Sequence, residues 1–424
     1  MRTSPRSLAL EVVRRVTDEG AFSNVVLPAL LERSTMKPAD RELATELSYG
    51  TLRRLLPLDH ALASFLNKPL PDAPPRARAA LRLGAYQLLY TRIPDHAAVA
   101  ETVGLVSPSE RGFVNAVLRR MTAEGVRWPT ESSAEAVAVR VGLAAWAVRE
   151  LRRQIENDAE EAAAALANQA SLTLRANPCR TSVPALEARL RDAGHEPVRG
   201  RLHPGSLRLS RGRPTALPGF GEGLFAVQDE ASSWVVDVLD PQPGERIVDV
   251  CAAPGGKATD IACRAGSVVA ADVSLQRLGL VDETASRLGV RTLLLTQDAT
   301  RPAIRDGVDR ILVDAPCSGI GAARRRPELL WRPRRIDLRS LARRQVRIAA
   351  AAASLLRPGG VLVYSVCTFP AEETTGVCRA VLERVPGLVP DHFLGPGGHD
   401  VTEARLWPHI HGTDAMFVAR FRRK

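Results

Sequence analysis

The chain has 424 residues, room for roughly two or three domains with separate cores, and its 45% hydrophobic and 25% charged residues exclude a disordered or fibrous protein. A net charge of +11 points to a polyanionic partner, most simply nucleic acid, but only Lys37, Lys68, Lys257 and Lys424 are lysines, so a GC-rich coding bias toward arginine and alanine is the competing reading. The longest uncharged apolar run, Ile348 to Leu356, is too short to span a bilayer, and the amino terminus (Arg2, Arg6, Glu11, Arg14, Arg15) lacks a signal-peptide core, so the reducing cytoplasm is the default and no membrane partner is expected.

The first stretch reads as helices with explicit start and stop signals. Ser4-Pro5 caps an amphipathic segment ending at Gly20, Asp40 opens Arg41 to Tyr49 with Gly50 after it, Arg78 to Tyr90 is a third helix and Asp95 starts a fourth. Ser107-Pro108-Ser109-Glu110 is a capping box leading into Arg111 to Met121. Residues 1–125 therefore form an all-α domain. Trp128 to Ser133 is a linker, Ala134 to Ala170 is helical, and two alternating strands (171–175, 206–210) flank a helix capped by Ser182, giving a small α+β module over residues 126–223. From residue 224 to 424 strands alternate with Gly/Pro loops and helices, at 246–250, 267–271, 292–296, 309–313, 360–365 and 415–421, the pattern of a doubly wound, Rossmann-like α/β domain.

The chemistry gathers at the carboxyl ends of those strands, where open parallel sheets bind ligands. Cys251-Ala252-Ala253-Pro254-Gly255-Gly256-Lys257 follows the first strand and opens a helix, so its glycines let backbone N–H groups approach a ligand. A tight structural turn is the bland alternative, but a lysine retained in an arginine-using chain signals a needed point charge. Asp272, Asp298 and Asp314 then close three successive strands. A carboxylate about 20 residues past a glycine loop suits ribose hydroxyls, and a second suits an adenine amino group. With no G-x-G-x-x-G and no Walker A spacing, S-adenosylmethionine fits better than a dinucleotide or a nucleotide triphosphate.

Six cysteines are present, with no C-x-x-C pair, which argues against a metal site, and they are too sparse for a disulfide scaffold. Cys179, Cys251, Cys263 and Cys378 read as inert small hydrophobes. Cys317 and Cys367 differ, since each sits just past a strand in a loop of Pro, Ser, Gly or Thr, positions suited to an activated thiol.

CAAPGGK at 251–257, DAPCSGIG at 314–321 and YSVCTF at 364–369, with Gln228 to Ser232 and Arg324 to Glu328, resemble the Nop/Sun family of RNA cytosine-5 methyltransferases. The amino-terminal part, at Tyr49 to Arg53, Leu81 to Gln87 and Gly112 to Arg119, resembles the NusB-like RNA-binding domain of the bacterial Sun/RsmB-type ribosomal RNA methyltransferases. The resemblance implies a multidomain enzyme that methylates carbon 5 of a cytosine in RNA, small-subunit (16S) ribosomal RNA first, through a covalent cysteine–cytosine intermediate. It implies Cys367 as nucleophile, Cys317 in product release, and Asp314 on the base edge or on ring nitrogen 3, with Lys257 beside them. A transfer RNA substrate, a non-catalytic assembly factor and a DNA methyltransferase are the alternatives. Intact Cys317, Cys367, Asp314 and Lys257 argue against the second, and the second cysteine with the NusB-like part argues against the third. A monomer is the default. Two departures stand out: Val366 replaces the family's usual threonine before the cysteine, and Gly412 to Phe417 replaces an Asp-Gly-Phe turn. The run Arg324 to Arg335 reads as a phosphate-tracking or a solvated segment.

Overall fold

The computed structural model describes residues 4–210 and 212–424, so Arg2 of the basic amino terminus lies outside it. Two compact units emerge: residues up to Asn168 together with Ala323–Pro333, and Gln169–Ala322 together with Arg334–Lys424.

The first unit is helical, with α1 (Pro5–Asp18), α2 (Ser23–Glu32), α3 (Pro38–Arg53), α4 (Leu55–Ala63), α5 (Pro75–Tyr90), α6 (Asp95–Val103), α7 (Pro108–Glu124), α8 (Ala134–Val141), α9 (Ala145–Ile155) and α10 (Ala159–Ala167). The caps work as the residue types require: the Ser4 side chain accepts from the Ser7 N–H, and the Glu110 carboxylate accepts from the Ser107 N–H at 3.0 Å. Leu8, Val12, Val13 and Val16 line one face of α1 and are fully buried, in one core with Leu47, Leu62 and Leu81. Two expectations are corrected, on Gly50 and on the stretch 134–170. Gly50 does not stop α3; a Cβ there would sit 2.0 Å from the Tyr86 hydroxyl, so this glycine serves a close approach to α5. Helices α2 and α4 lacked a sequence signal, because each carries a proline (Pro28, Pro57) and starts without a side-chain cap. The stretch 134–170 is three helices, broken at left-handed Gly142 and again at Glu156.

Within residues 323–333 several side chains turn into the helical unit. Glu328, fully buried, accepts from the Ser23 hydroxyl at 2.6 Å, Trp331 donates its indole N–H to the Leu52 carbonyl, and Arg332 donates to the carbonyls of Val16 and Ala21. Arg326 and Arg332 both stack over the Phe22 ring. Arg326 and Arg332 are thus engaged inside the helical unit, whereas Arg334 and Arg335 of the same run belong to the second unit and are exposed.

The second unit opens with a four-stranded antiparallel sheet, β1 (Leu172–Ala176), β2 (Val198–Arg199), β3 (Ser206–Leu209) and β4 (Phe225–Val227), in the order β2-β3-β1-β4, with α11 (Val183–Asp192). Next come α12 (Glu230–Leu239), β5 (Ile247–Asp249), α13 (Gly256–Ala265), β6 (Val268–Asp272), α14 (Leu275–Leu288), β7 (Thr292–Thr296), β8 (Val308–Asp314), α15 (Arg335–Ala353), β9 (Leu356–Val366) and α16 (Thr375–Arg384). The chain ends with β10 (Leu388–Pro390), β11 (Phe393–Leu394), β12 (Asp400–Val401), β13 (Glu403–Leu406), α17 (Pro408–His411) and β14 (Met416–Arg423). The large sheet has the order β10-β14-β9-β8-β5-β6-β7, with β13 also on β14. Strands β9, β8, β5, β6 and β7 are parallel, and β14 enters antiparallel beside β9. The chain leaves β5 toward β6 and later returns to its other side as β8, so the switch point lies between Asp249 and Asp314.

Cys179 and Cys263 form a disulfide between the loop after β1 and α13, which corrects their reading as inert free thiols. Their sequence separation of 84 hides the pairing until the fold closes. Among the described residues no helix is long and apolar enough to cross a membrane, and no group of His, Cys, Asp and Glu could hold a metal.

Candidate active site

The loop 250–257 continues β5 into α13. Ala252 N–H donates to the Ala271 carbonyl, so the loop hugs the end of β6, and Gly255 takes a left-handed φ of 110° that turns the chain into the helix. Asp249 is buried beneath it and accepts from the Cys251 N–H at 3.2 Å. Burial and the neighbouring Asp314 push its carboxyl up to about 7. Burial likewise drives the Cys251 and Cys378 thiols up, in keeping with inert cysteines.

Lys257 Nζ donates to Asp314 Oδ2 at 2.7 Å, and Ser365, the register partner of Asp314 on β9, donates its hydroxyl to the other carboxylate oxygen at 2.8 Å. Burial opposes the Lys257 charge, but Asp314 outweighs it and, with a contribution from Cys367, raises the ammonium above its usual range. A fixed positive charge therefore stands beside Asp314 and near Cys367.

The two thiols meet: Cys317 Sγ lies 3.5 Å from Cys367 Sγ, both half-buried. The hydrogen bond with Cys367, then burial, push the Cys317 thiol well above the ordinary range. Val366 is fully buried opposite Phe417, so a hydrophobe there packs the strand end. The unusual 412–417 turn is tied in, with the Asp414 N–H donating to Asp229 and the Ala415 N–H to the Gly321 carbonyl. Gly321 is required, because a Cβ would meet the Ala415 oxygen at 2.1 Å.

Sequence reasoning missed the residues that hold this pair. Glu373, fully buried in the short turn Ala371–Glu373, accepts from the Ser318 N–H at 2.9 Å and from Gln345 Nε2 at 3.0 Å. Gln345 also donates to the Pro316 carbonyl, and Ser318 and Thr368 share a hydroxyl bond of 2.7 Å. One carboxylate thus ties the Cys317 loop to the Cys367 loop. Burial raises its pKa, partly offset by these donors. Arg175, also missed, is 2% exposed under the glycine loop and reaches Gln228, Thr259 and Asp260. Nothing in the strand pattern of Leu172–Ala176 marks it as more than an outward arginine.

Asp272 is buried at the end of β6, its two oxygens accepting from the Ala253 and Ser274 N–H groups. Asp298 is exposed past β7 and accepts from the Thr300 N–H and hydroxyl, which hold its carboxyl low. The donor set fits an adenosyl sulfonium: small residues and a glycine turn at one strand end and aspartates at the next three. Fold and site together define an S-adenosylmethionine-dependent methyltransferase.

Residues 236–422 match the 16S rRNA methyltransferase RsmB/F family, residues 3–123 the NusB family, and residues 143–216 the ferredoxin-like domain of RsmF/B-like methyltransferases. Ribosomal RNA small subunit methyltransferase B of Citrobacter koseri is 37% identical over 99% of each chain, and that of Salmonella arizonae 36% over 99% of this chain and 98% of its own. The crystal structure of PH0851 superposes with a TM-score of 0.84 at 24% identity over 99% of both chains, a likeness of fold. A methyltransferase homolog protein from Pyrococcus horikoshii gives 0.60 at 27% identity, covering 69% of this chain and all of that one. The chain belongs to the RsmB/F family of RNA methyltransferases.

Proposed function

We propose that the protein methylates carbon 5 of one cytosine in small-subunit ribosomal RNA, in the cytoplasm, by way of a transient bond between Cys367 and ring carbon 6. Carbon 5 of cytosine is too weak a nucleophile on its own. Addition of the Cys367 thiolate to carbon 6 makes carbon 5 enamine-like, and S-adenosylmethionine, when bound, offers it an electrophilic methyl group. Carbon 5 takes that methyl group, leaving S-adenosylhomocysteine; water accepts the carbon-5 proton, and the electron pair left behind re-forms the 5,6 double bond as Cys367 departs as thiolate.

The observation that supports this reading is the pair of sulfurs 3.5 Å apart at the ends of β8 and β9. The family resemblance gives the attack to Cys367 and the release to Cys317, and the Lys257 ammonium, held by Asp314, stands near Cys367. Asp314 binds the cytosine edge or protonates nitrogen 3 as the sulfur adds, with Lys257 and Ser365 fixing its orientation. Residues 251–257, Asp272, Asp298 and Asp314 hold the cofactor, Asp272 through the ribose. The base has to leave its stack first, which favours a loop or helix end as target.

Bisulfite mapping of ribosomal RNA from a strain lacking the protein tests the reading. One cytosine in the small subunit should lose its mark and regain it on complementation. An unchanged map would overturn the proposal.

A further inference from the structure

α15 has two unlike faces. Leu338, Gln345, Ile348, Ala349 and Ala352 point inward and are buried, while Arg339, Arg343 and Arg347 follow one another at every fourth position and are exposed. With α16 this outer face encloses an open groove of about 770 Å³, whose lining also includes Arg384, Gly376 and Glu372. The single carboxylate in that lining, Glu372, pairs with Arg335 at 3.5 Å. None of Arg339, Arg343, Arg347 and Arg384 has an ion pair or hydrogen bond among the described residues. Some arginines elsewhere in this unit are matched by carboxylates, as Arg310 is by Glu245 and Arg420 and Arg422 by Asp391. An excess of one sign in one groove is a field for a polyanion.

We propose that this groove is a docking surface for the phosphate backbone of single-stranded RNA flanking the target nucleotide. The inference rests on the RNA reading above. Residues four apart on a helix rise about 6 Å, so guanidiniums at 339, 343 and 347 form a ladder along which successive phosphates are met, each by a planar fork suited to it. The groove also shares a wall with the catalytic loops: Glu372 faces it, while the next residue, Glu373, holds the Ser318 N–H, and Gln345 on the opposite face of α15 holds the Pro316 carbonyl. The ladder starts beside the catalytic loops, because Arg335 at the beginning of α15 pairs with Glu372, the neighbour of Glu373. A strand laid along it brings a neighbouring, unstacked base toward Cys367. Arg326 and Arg332 do not serve this purpose, since they are spent on Phe22 and on backbone carbonyls.

The test is the full-length enzyme with Arg343→Gln and Arg347→Gln combined, assayed on a naked 16S rRNA transcript across a salt series. The KM for transcript should rise roughly tenfold, and the slope of log affinity against log salt should shrink by about 1.4, since each phosphate contact on a single strand carries about 0.7. The KM for S-adenosylmethionine and the thermal midpoint should not move. The double lysine variant, which keeps the charges, should recover most of the slope. A glutamine variant with wild-type KM and slope, or one weakened with its slope intact, overturns the proposal. A defect confined to ribosomal particles and absent on naked transcript assigns the groove to a protein and also overturns it. If the wild-type enzyme neither binds nor methylates the transcript or the particle, the RNA reading itself fails.

Discussion

The sulfurs of Cys317 and Cys367 lie 3.5 Å apart although their residues are 50 positions apart in the chain. The distance is non-bonded, yet short enough for both atoms to face one pyrimidine ring. Parallel pairing of β8 with β9 creates the meeting, because each cysteine follows its strand by one short step. The chemistry is therefore an outcome of register: Asp314 opposite Ser365 fixes which loop atoms converge.

Glu373 is expected to act as a positioning residue. Glu373→Ala would leave the Ser318 N–H and the Gln345 amide without an acceptor, at about 1–3 kcal/mol for each buried group, and would free the Cys317 loop. Steady-state kinetics should show kcat falling at least tenfold with the cofactor KM unchanged. Glu373→Gln, which keeps one acceptor oxygen, should recover part of the loss. A loss confined to thermal stability would contradict the assignment.

Asp314 and Lys257 are not equivalent partners. Lys257 is the more buried of the two, so Asp314→Asn strands an enclosed ammonium, whereas Lys257→Met leaves a carboxylate that water partly reaches. The first should cost about 3 kcal/mol of stability and the second clearly less. Denaturant unfolding of both variants checks the order, and equal losses would argue that the pair is solvated.

Asp249 makes stability depend on pH in an unusual direction. Its folded value near 7 exceeds the ordinary 3.8, so between those values the folded chain holds a proton that the unfolded chain has released. The contribution is fully present below about 4 and is lost as pH rises through 7. Asp249→Asn keeps the acceptor for the Cys251 N–H and removes the titration. Its melting temperature should fall less than the wild type's between pH 5 and pH 8, and parallel curves would refute the shift.

Legibility followed physical cause. The α/β strands were readable because β-branched runs closed by Gly, Pro and Asp have few other solutions, and the loop 251–257 and the loop cysteines Cys317 and Cys367 sit next to them. Short strands such as Val198–Arg199 and Phe225–Val227 carry no period long enough to register. Gly50 was read as a stop because a glycine needed for a helix crossing and one ending a helix look alike until Tyr86 is in place. Glu373, Gln345 and Arg175 were invisible for the reason that Cys179 and Cys263 were: their roles come from partners far away in sequence. In the basic run at 324–335, charge density did not reveal that Arg326 and Arg332 are taken up by an aromatic ring and carbonyls of the same chain.

The central claim, attack by the sulfur of Cys367, is tested most directly in the Cys317→Ala enzyme incubated with 16S rRNA transcript and S-adenosylmethionine. With attack intact and release impaired, denaturing gels should show a nuclease-sensitive, slow-migrating adduct, and mass spectrometry of its peptides should find the cytosine on Cys367. The adduct should vanish when Cys367→Ala is added. No adduct from a folded, cofactor-binding Cys317→Ala enzyme, or a cytosine mapped to any other residue, would contradict the account.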